Sequence, residues 1–205
     1  LCMNNCPEAV CILEQHQDRI DWGCLSGNPY AIELLEQNLD KPLNWILISR
    51  MPEAIRLIEQ NLDKVSWWDL CSNIASINLI EQNLDKVYWD RLCMNPAAVR
   101  LLEQHKDLLD VRGLCMNPNA LHLLEEKMES SRYEDHLKVS NLTVNPNPAA
   151  LNRIEEICSG HNHLRSNYTK MSICKRRDAI GFIERNLDRV VDWSTLSMNP
   201  AAIHI

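Results

Sequence analysis

Residues 28–49 read NPYAIELLEQNLDKPLNWILIS, and the phrase returns at 95–115 as NPAAVRLLEQHKDLLDVRGLC. Its proline position is held by Pro7, Pro29, Pro52, Ile74, Pro96, Pro118, Pro148, Arg177 and Pro200, at successive spacings of 22, 23, 22, 22, 22, 30, 29 and 23 residues. Recurrence of many columns at one short period is the mark of a repeat architecture. The chain therefore holds eight repeats and the opening of a ninth, with two longer repeats towards its C-terminal end.

Each repeat reads as two helices. Asn28, Asn73, Asn95, Asn117, Asn147 and Asn199 precede the proline position, where the amide oxygen can accept an orphan backbone N–H and proline suits the first turn. Helix A follows, with an apolar stripe such as Ala31, Ile32, Leu34 and Leu35, and a Glu-Gln pair on its wetter side. An Asn-Leu-Asp-Lys stretch turns the chain. Asp21, Asn44, Ser66, Asp110 and Asp192 then cap a short helix B, which opens on the tryptophan column of Trp22, Trp45, Trp67, Trp89 and Trp193. Val111 stands in that column in the fifth repeat.

A helix pair this short cannot enclose a core and must stack on its neighbours. The expected fold is all-α: an α-solenoid of about eight to nine short two-helix repeats, roughly 80 Å long at the usual spacing of packed helices. Its segments are residues 1–126, the regular repeats; 127–176, two enlarged, more basic repeats with loop insertions; and 177–205, a final repeat and the start of another. The chain begins and ends inside repeats, so the expectation is that it belongs to a longer protein. Trp22, Trp45, Trp67, Trp89 and Trp193, with Pro29, Pro52, Pro96, Pro118 and Pro200, are read as the structural columns.

The phrase Asn-Pro-x-Ala-Ile-x-Leu-Leu-Glu, continued by Asp-Lys, Trp and Leu-Ser at fixed distances, resembles that of the repeat proteins encoded by giant DNA viruses of algae and amoebae. Asn28 to Ser49 and Asn95 to Cys115 carry the likeness best. More distantly the pattern is similar to leucine-rich-variant repeats. The resemblance covers residues 1–126 and 177–205 and implies an α-solenoid of viral source, residing in the virion or the host cytoplasm. It lends no catalytic residue. Residues 127–176 depart from it.

Composition narrows the function classes. The chain has 205 residues, 45% of them hydrophobic, with 21 basic and 28 acidic side chains and a net charge of −7. An acidic body disfavours a dedicated nucleic-acid binder, no apolar run is long enough to span a bilayer, and no signal peptide opens the chain. Charge is uneven: residues 127–178 carry nine Lys or Arg against six acids, which marks them as a local docking surface.

Cys71, Cys93, Cys115 and Cys174 fall in a column that holds Ser26, Ser49 and Ser197 elsewhere. That column asks for a small buried side chain, and equivalent atoms one repeat apart lie too far from each other for a disulfide. Buried thiols point to a reducing compartment. Cys2, Cys6 and Cys11 are near enough in sequence to pair. Cys158, His161, His163 and Cys174 form the weak zinc candidate, because Cys and His suit a tetrahedral site; polar loop residues are the plainer reading. His16 and His105 replace the Asn that ends helix A and are read as C-terminal caps.

Signatures of hydrolases, phosphate-binding loops, zinc proteases and dinucleotide folds are missing. The expected role is a non-enzymatic protein–protein interaction scaffold without cofactor, as a minor capsid or capsid-associated component with capsid proteins as partners. A host-directed adaptor is the first alternative and a modular nucleic-acid-binding solenoid the second, the latter reading bases through the varied helix A positions Cys11, Glu33, Arg56, Asn78, Arg100, His122, Asn152 and Gly181.

Overall fold

The computed structural model describes residues 1–131, 134–158 and 167–203, and the side chains of 135, 136, 158, 168, 189 and 190 lie outside that description. Among the described residues every regular element is an α- or 3₁₀-helix. Among these residues no helix is long and apolar enough to cross a membrane. The chain divides into two compact units, Leu1–Ala98 and Val99–Ile205. The divide falls within the regular repeats.

Helix A is built in two steps. A 3₁₀ turn opens it, as in Pro29–Ala31, Pro52–Ala54 and Arg177–Ala179, and the α-helix follows as Ile32–Glu36, Ile55–Glu59 and Ile180–Arg185. The turn is closed by i→i+3 bonds, Ala31 N–H to the Asn28 carbonyl at 3.0 Å and Ala54 N–H to that of Met51 at 3.1 Å. Its last residue is driven inside: Ala31, Ala54, Ala98, Ala120 and Ala179 have no exposed surface. Ser76 holds the same place, and its hydroxyl donates to the carbonyls of Leu70 and Asn73, so the buried polar atom is satisfied.

The cap reading holds at every Asn named from the sequence. Their Oδ1 atoms accept the backbone N–H groups of Tyr30, Ala75, Ala97, Asn119, Ala149 and Ala201 at 2.9–3.1 Å. Helix B is likewise capped by Asp21, Asn44, Ser66, Asp110 and Asp192, which accept N–H groups at the starts of Trp22–Leu25, Trp45–Arg50, Trp67–Leu70, Val111–Cys115 and Trp193–Leu196. Between the helices, Asn38, Asn61, Asn83 and Asn186 donate their Nδ2 to the carbonyl four residues earlier at 2.8–2.9 Å. His16 does not take over that bond. Its backbone N–H reaches the Leu13 carbonyl, and its ring caps nothing.

The apolar pairs of helix A and the leucine of helix B form each unit's interior. In the first unit Leu34, Leu35, Leu57, Ile58 and Leu70 belong to one buried cluster. In the second, Leu101, Leu102, Leu114, Leu123 and Leu124 are buried, as are Val139, Leu142, Ile154 and Ile173 from the enlarged repeats. Those repeats gain their length inside: Leu121–Ser130 precedes Asp135–Val144, and Ala149–Cys158 precedes Asn167–Lys175.

Candidate interaction surface

Within each unit two seams join successive repeats, and together they decide which side chains remain for partners. The first seam is a ladder of buried amides. In the first unit, Asn28 Nδ2 donates to the carbonyls of Cys2 and Asn4, Asn73 to those of Ser49 and Met51, and Asn95 to those of Cys71 and Asn73, all at 3.0–3.2 Å. In the second unit, Asn145 donates to Leu114 and Asn117, and Asn199 to Cys174 and Arg176, at 2.8–3.3 Å. One side chain thus caps its own turn and hydrogen-bonds the preceding repeat, and almost none of it is exposed.

The rung in the sixth junction is Asn145, two residues ahead of Asn147. The sequence doubles Asn-Pro there, at Asn145-Pro146-Asn147-Pro148, and the two amides divide the work. Asn145 makes the buried ladder bonds. Asn147 caps helix A and donates once, to Pro118 at 2.8 Å. At the next junction Arg176 serves as the rung, its guanidinium donating to Asn145 at 2.5 Å and Asn147 at 3.3 Å. Asp178 chelates the same guanidinium at 2.6 Å, and that contact holds the Asp178 carboxyl below its ordinary range. Met51 interrupts the ladder. No side chain donates to Ser26 or Asn28 carbonyls from that position.

The second seam is the Ser/Cys column. Ser26 Oγ donates to the Trp22 carbonyl at 2.7 Å and accepts the Asn44 N–H at 2.9 Å. Ser49 repeats the pair with Trp45 and Ser66. At two of the cysteines sulfur takes the acceptor part: the Tyr88 N–H points at Cys71 and the Asp192 N–H at Cys174, 3.5 Å away. Burial pushes the thiols of Cys71, Cys115 and Cys174 up, that of Cys115 to about 11. These sulfurs are packing atoms. Cys2, Cys6 and Cys11 carry thiols with no disulfide between them.

No family model matches the chain, and neither a curated protein nor a solved structure does. Its surface therefore has to be read from its own geometry.

The structural columns sit at different depths. Trp22 is buried, Trp45, Trp67 and Trp89 are half-buried, and Trp193 is 64% exposed. Lysine covers two of them. Lys64 lies over Trp45 at 5.4 Å from the ring centroid and Lys86 over Trp67 at 4.8 Å, each reaching back from the next repeat. The lysines of the Asp-Lys turns thus differ: Lys41 meets Asp40 at 3.1 Å, whereas Lys64 and Lys86 turn to rings. Pro29 and Pro96 begin their turns at the surface edge beside the ladder, as do Pro52, Pro118 and Pro200.

Charge is handled differently by the two units. The first carries seven Lys or Arg against 14 Asp or Glu, the second 14 against 14. In the second, helix A carboxylates are paired across repeats: Glu126 with Lys106 at 2.6 Å, Glu103 with His122 at 3.1 Å, Glu155 with Arg185 at 3.2 Å, and Glu125 and Glu129 with Arg153 at 3.4 Å, while Glu156 meets Arg153 within its own helix at 2.8 Å. The sequence's Glu125-Glu126 and Glu155-Glu156 pairs are thus members of ion pairs on the helix face. In the first unit the main side-chain network is Arg50 to Asp69 at 2.6 Å, with Ser66 Oγ on the same carboxylate at 2.5 Å, and Arg91 stacked at 4.2 Å on Trp68 while donating to Ser72.

Of the zinc candidate, His161 and His163 lie outside the described residues, as does the Cys158 side chain. Cys174 is buried in the second seam. Among the described residues no three His, Cys, Asp or Glu side chains are gathered as a metal site.

What remains for partners is the edge beside the ladder. In the first unit, Gly27, Pro29, Leu47, Arg50, Met51 and Glu53 line a shallow groove between successive repeats, with Tyr30 and Ile46 half exposed nearby in sequence. Gly27 has a packing reason there, since a Cβ on it would stand 3.3 Å from Leu47 Cδ1. The second unit has a groove at the equivalent place, lined by Lys175, Arg177, Thr195, Met198, Asn199 and Pro200. The sequence announced the varied helix A column but not these grooves, because they are formed by residues from two repeats at once.

Proposed function

We propose that the chain is a non-enzymatic interaction scaffold, an α-solenoid whose repeats present a long surface to other proteins. The observation that carries this reading is the amide ladder. Its bonds spend the buried polar groups on joining one repeat to the next, while residues beside the rungs vary from repeat to repeat. Repeat arrays of this kind use extended surfaces for recognition. By its resemblance to giant-virus repeat proteins, the chain is further proposed to be a capsid-associated component of the particle.

Mass spectrometry of purified particles of the encoding virus, with and without a lysine cross-linker, tests the role. Recovery with cross-links to capsid proteins is the expected result. Presence in infected-cell lysate but not in particles would shift the assignment to a host-directed adaptor. Absence of protein cross-links in both would overturn the scaffold reading.

A further inference from the structure

The repeat's turn signature is Met-Asn-Pro, seen at Met94-Asn95-Pro96, Met116-Asn117-Pro118 and Met198-Asn199-Pro200. At one junction it is Lys175-Arg176-Arg177. The middle replacement carries the ladder. Arg176 is the rung, 12% exposed at its side chain and held by two carbonyls and Asp178. Lys175 and Arg177 are exposed, and among the described residues neither meets a carboxylate or a carbonyl. Arg177 also opens a helical turn, where a cation is electrostatically disfavoured. Folding gives no reason for the Arg177 charge, whereas Lys175 also closes Asn167–Lys175, where a cation suits the carbonyl end of the helix.

Both line the second unit's groove of about 310 Å³, together with Met198, Pro200 and the hydroxyl-bearing Thr195. Met198 is 72% exposed and unbranched, so it can mould itself to an apolar neighbour. No carboxylate lines the groove. The corresponding groove of the first unit differs: Gly27 and Pro29 take the places of the two cations, Arg50 is committed to Asp69, and Glu53 adds a negative charge.

We infer that the Lys175–Arg177 groove binds an acidic segment of a partner protein, with carboxylates on the two cations and an apolar side chain against Met198 and Pro200. This rests on the scaffold reading and gives it a partner chemistry. Alternating acid and apolar side chains match the groove's charged and apolar walls.

Fluorescence anisotropy of the whole chain with a labelled peptide of repeated Glu-Glu-Leu units tests the assignment. The Lys175→Glu/Arg177→Glu variant should bind about tenfold more weakly, since 1.4 kcal/mol is lost, and Met198→Ala about threefold more weakly. A control of equal charge change elsewhere, Arg19→Glu/Arg56→Glu, should stay within about twofold. Circular dichroism checks that each variant is folded; Lys175→Glu alone serves if the pair is not. Equal weakening by the control, equal affinity for a Lys-Lys-Leu peptide, or absence of binding would overturn the groove. An oligothymidylate that binds more tightly and is equally sensitive to the double variant would assign the groove to nucleic acid instead. Capsid cross-links that persist in the double variant would leave the scaffold standing and the groove refuted.

Discussion

Asn73 illustrates how much one buried side chain carries: its oxygen caps Ala75 and its nitrogen meets Ser49 and Met51 in the preceding repeat. Asn73→Ala abandons two carbonyls and a cap, at a cost of about 3 kcal/mol in urea unfolding. Asn73→Asp keeps the cap oxygen but turns a carboxylate on those carbonyls, so it should be at least as damaging; a neutral effect would mean the ladder adds nothing to stability. A second residue-scale expectation concerns the thiols. At pH 8, iodoacetamide should modify exposed Cys11 quickly and Cys115 only as fast as the protein unfolds, because Cys115 is buried and holds its proton to about 11. Quantitative peptide mapping reads the difference. The cap role of the ladder residues was legible in the sequence because it depends on immediate neighbours. Their donor role was not, since it depends on carbonyls some two dozen positions earlier, and Arg176 in particular bears no resemblance to an asparagine until its partners are known.

At the scale of elements, helix B is too short to persist by itself and depends on its cap and on the seam beside it. Trp67–Leu70 has the densest support: Ser66 caps it, and Asp69, 5% exposed, is held by Ser66 and Arg50. Arg50→Ala should cost about 2 kcal/mol, because it strips a charged partner from a buried carboxylate, whereas Lys86→Ala, which removes only the cover of Trp67, should cost about 0.5 kcal/mol. Chemical denaturation of the two variants gives the contrast. The Arg176–Asp178 pair adds a pH dependence with a definite sign. Its contact lowers the folded-state pKa of Asp178, so the stabilisation is complete above the ordinary carboxylate value of 3.8 and fades as the pH falls below it through the lowered value. Hydrogen exchange at Arg177–Ala179 should accelerate in that acid window, and Asp178→Asn should remove the acceleration. Helix existence, caps and approximate ends followed from Asn-Pro, Asp-x-Trp and the leucine spacing. The separate 3₁₀ opening of helix A did not, because proline favours the first turn of either helix type.

For the whole molecule, the division after Ala98 separates an acidic unit from a balanced one. Like charges repel within the first, while exposed pairs such as Lys106 with Glu126 contribute to the second. Raising salt towards about 0.5 M screens both effects. Amide exchange should therefore slow in residues 1–98 relative to 99–203, and a shift of equal sign and size in the two would refute this account. Repetition itself was plain from the proline spacing, but this partition of charge emerged only when the boundary of the compact units was known. The cross-repeat grooves were hidden for a related reason: a column shows what recurs, whereas a groove arises where two neighbouring columns differ.

The direction of the ladder has a hereditary consequence. Asn73, Asn145 and Arg176 each give their protons to the repeat before and offer their own carbonyl to the repeat after, so modules joined in this way have the same outgoing and incoming connection. A duplication or loss of one whole period in the coding sequence reconnects compatible ends and strands no polar group, whereas a crossover in the middle of a period joins mismatched ones. The enlarged repeats observe the same constraint, since their added residues lie between rungs and leave Asn145, Arg176 and Asn199 in place. Selection can thus lengthen or shorten the molecule in steps of one period, and can rewrite a single junction, as at Lys175-Arg176-Arg177, without renegotiating the others.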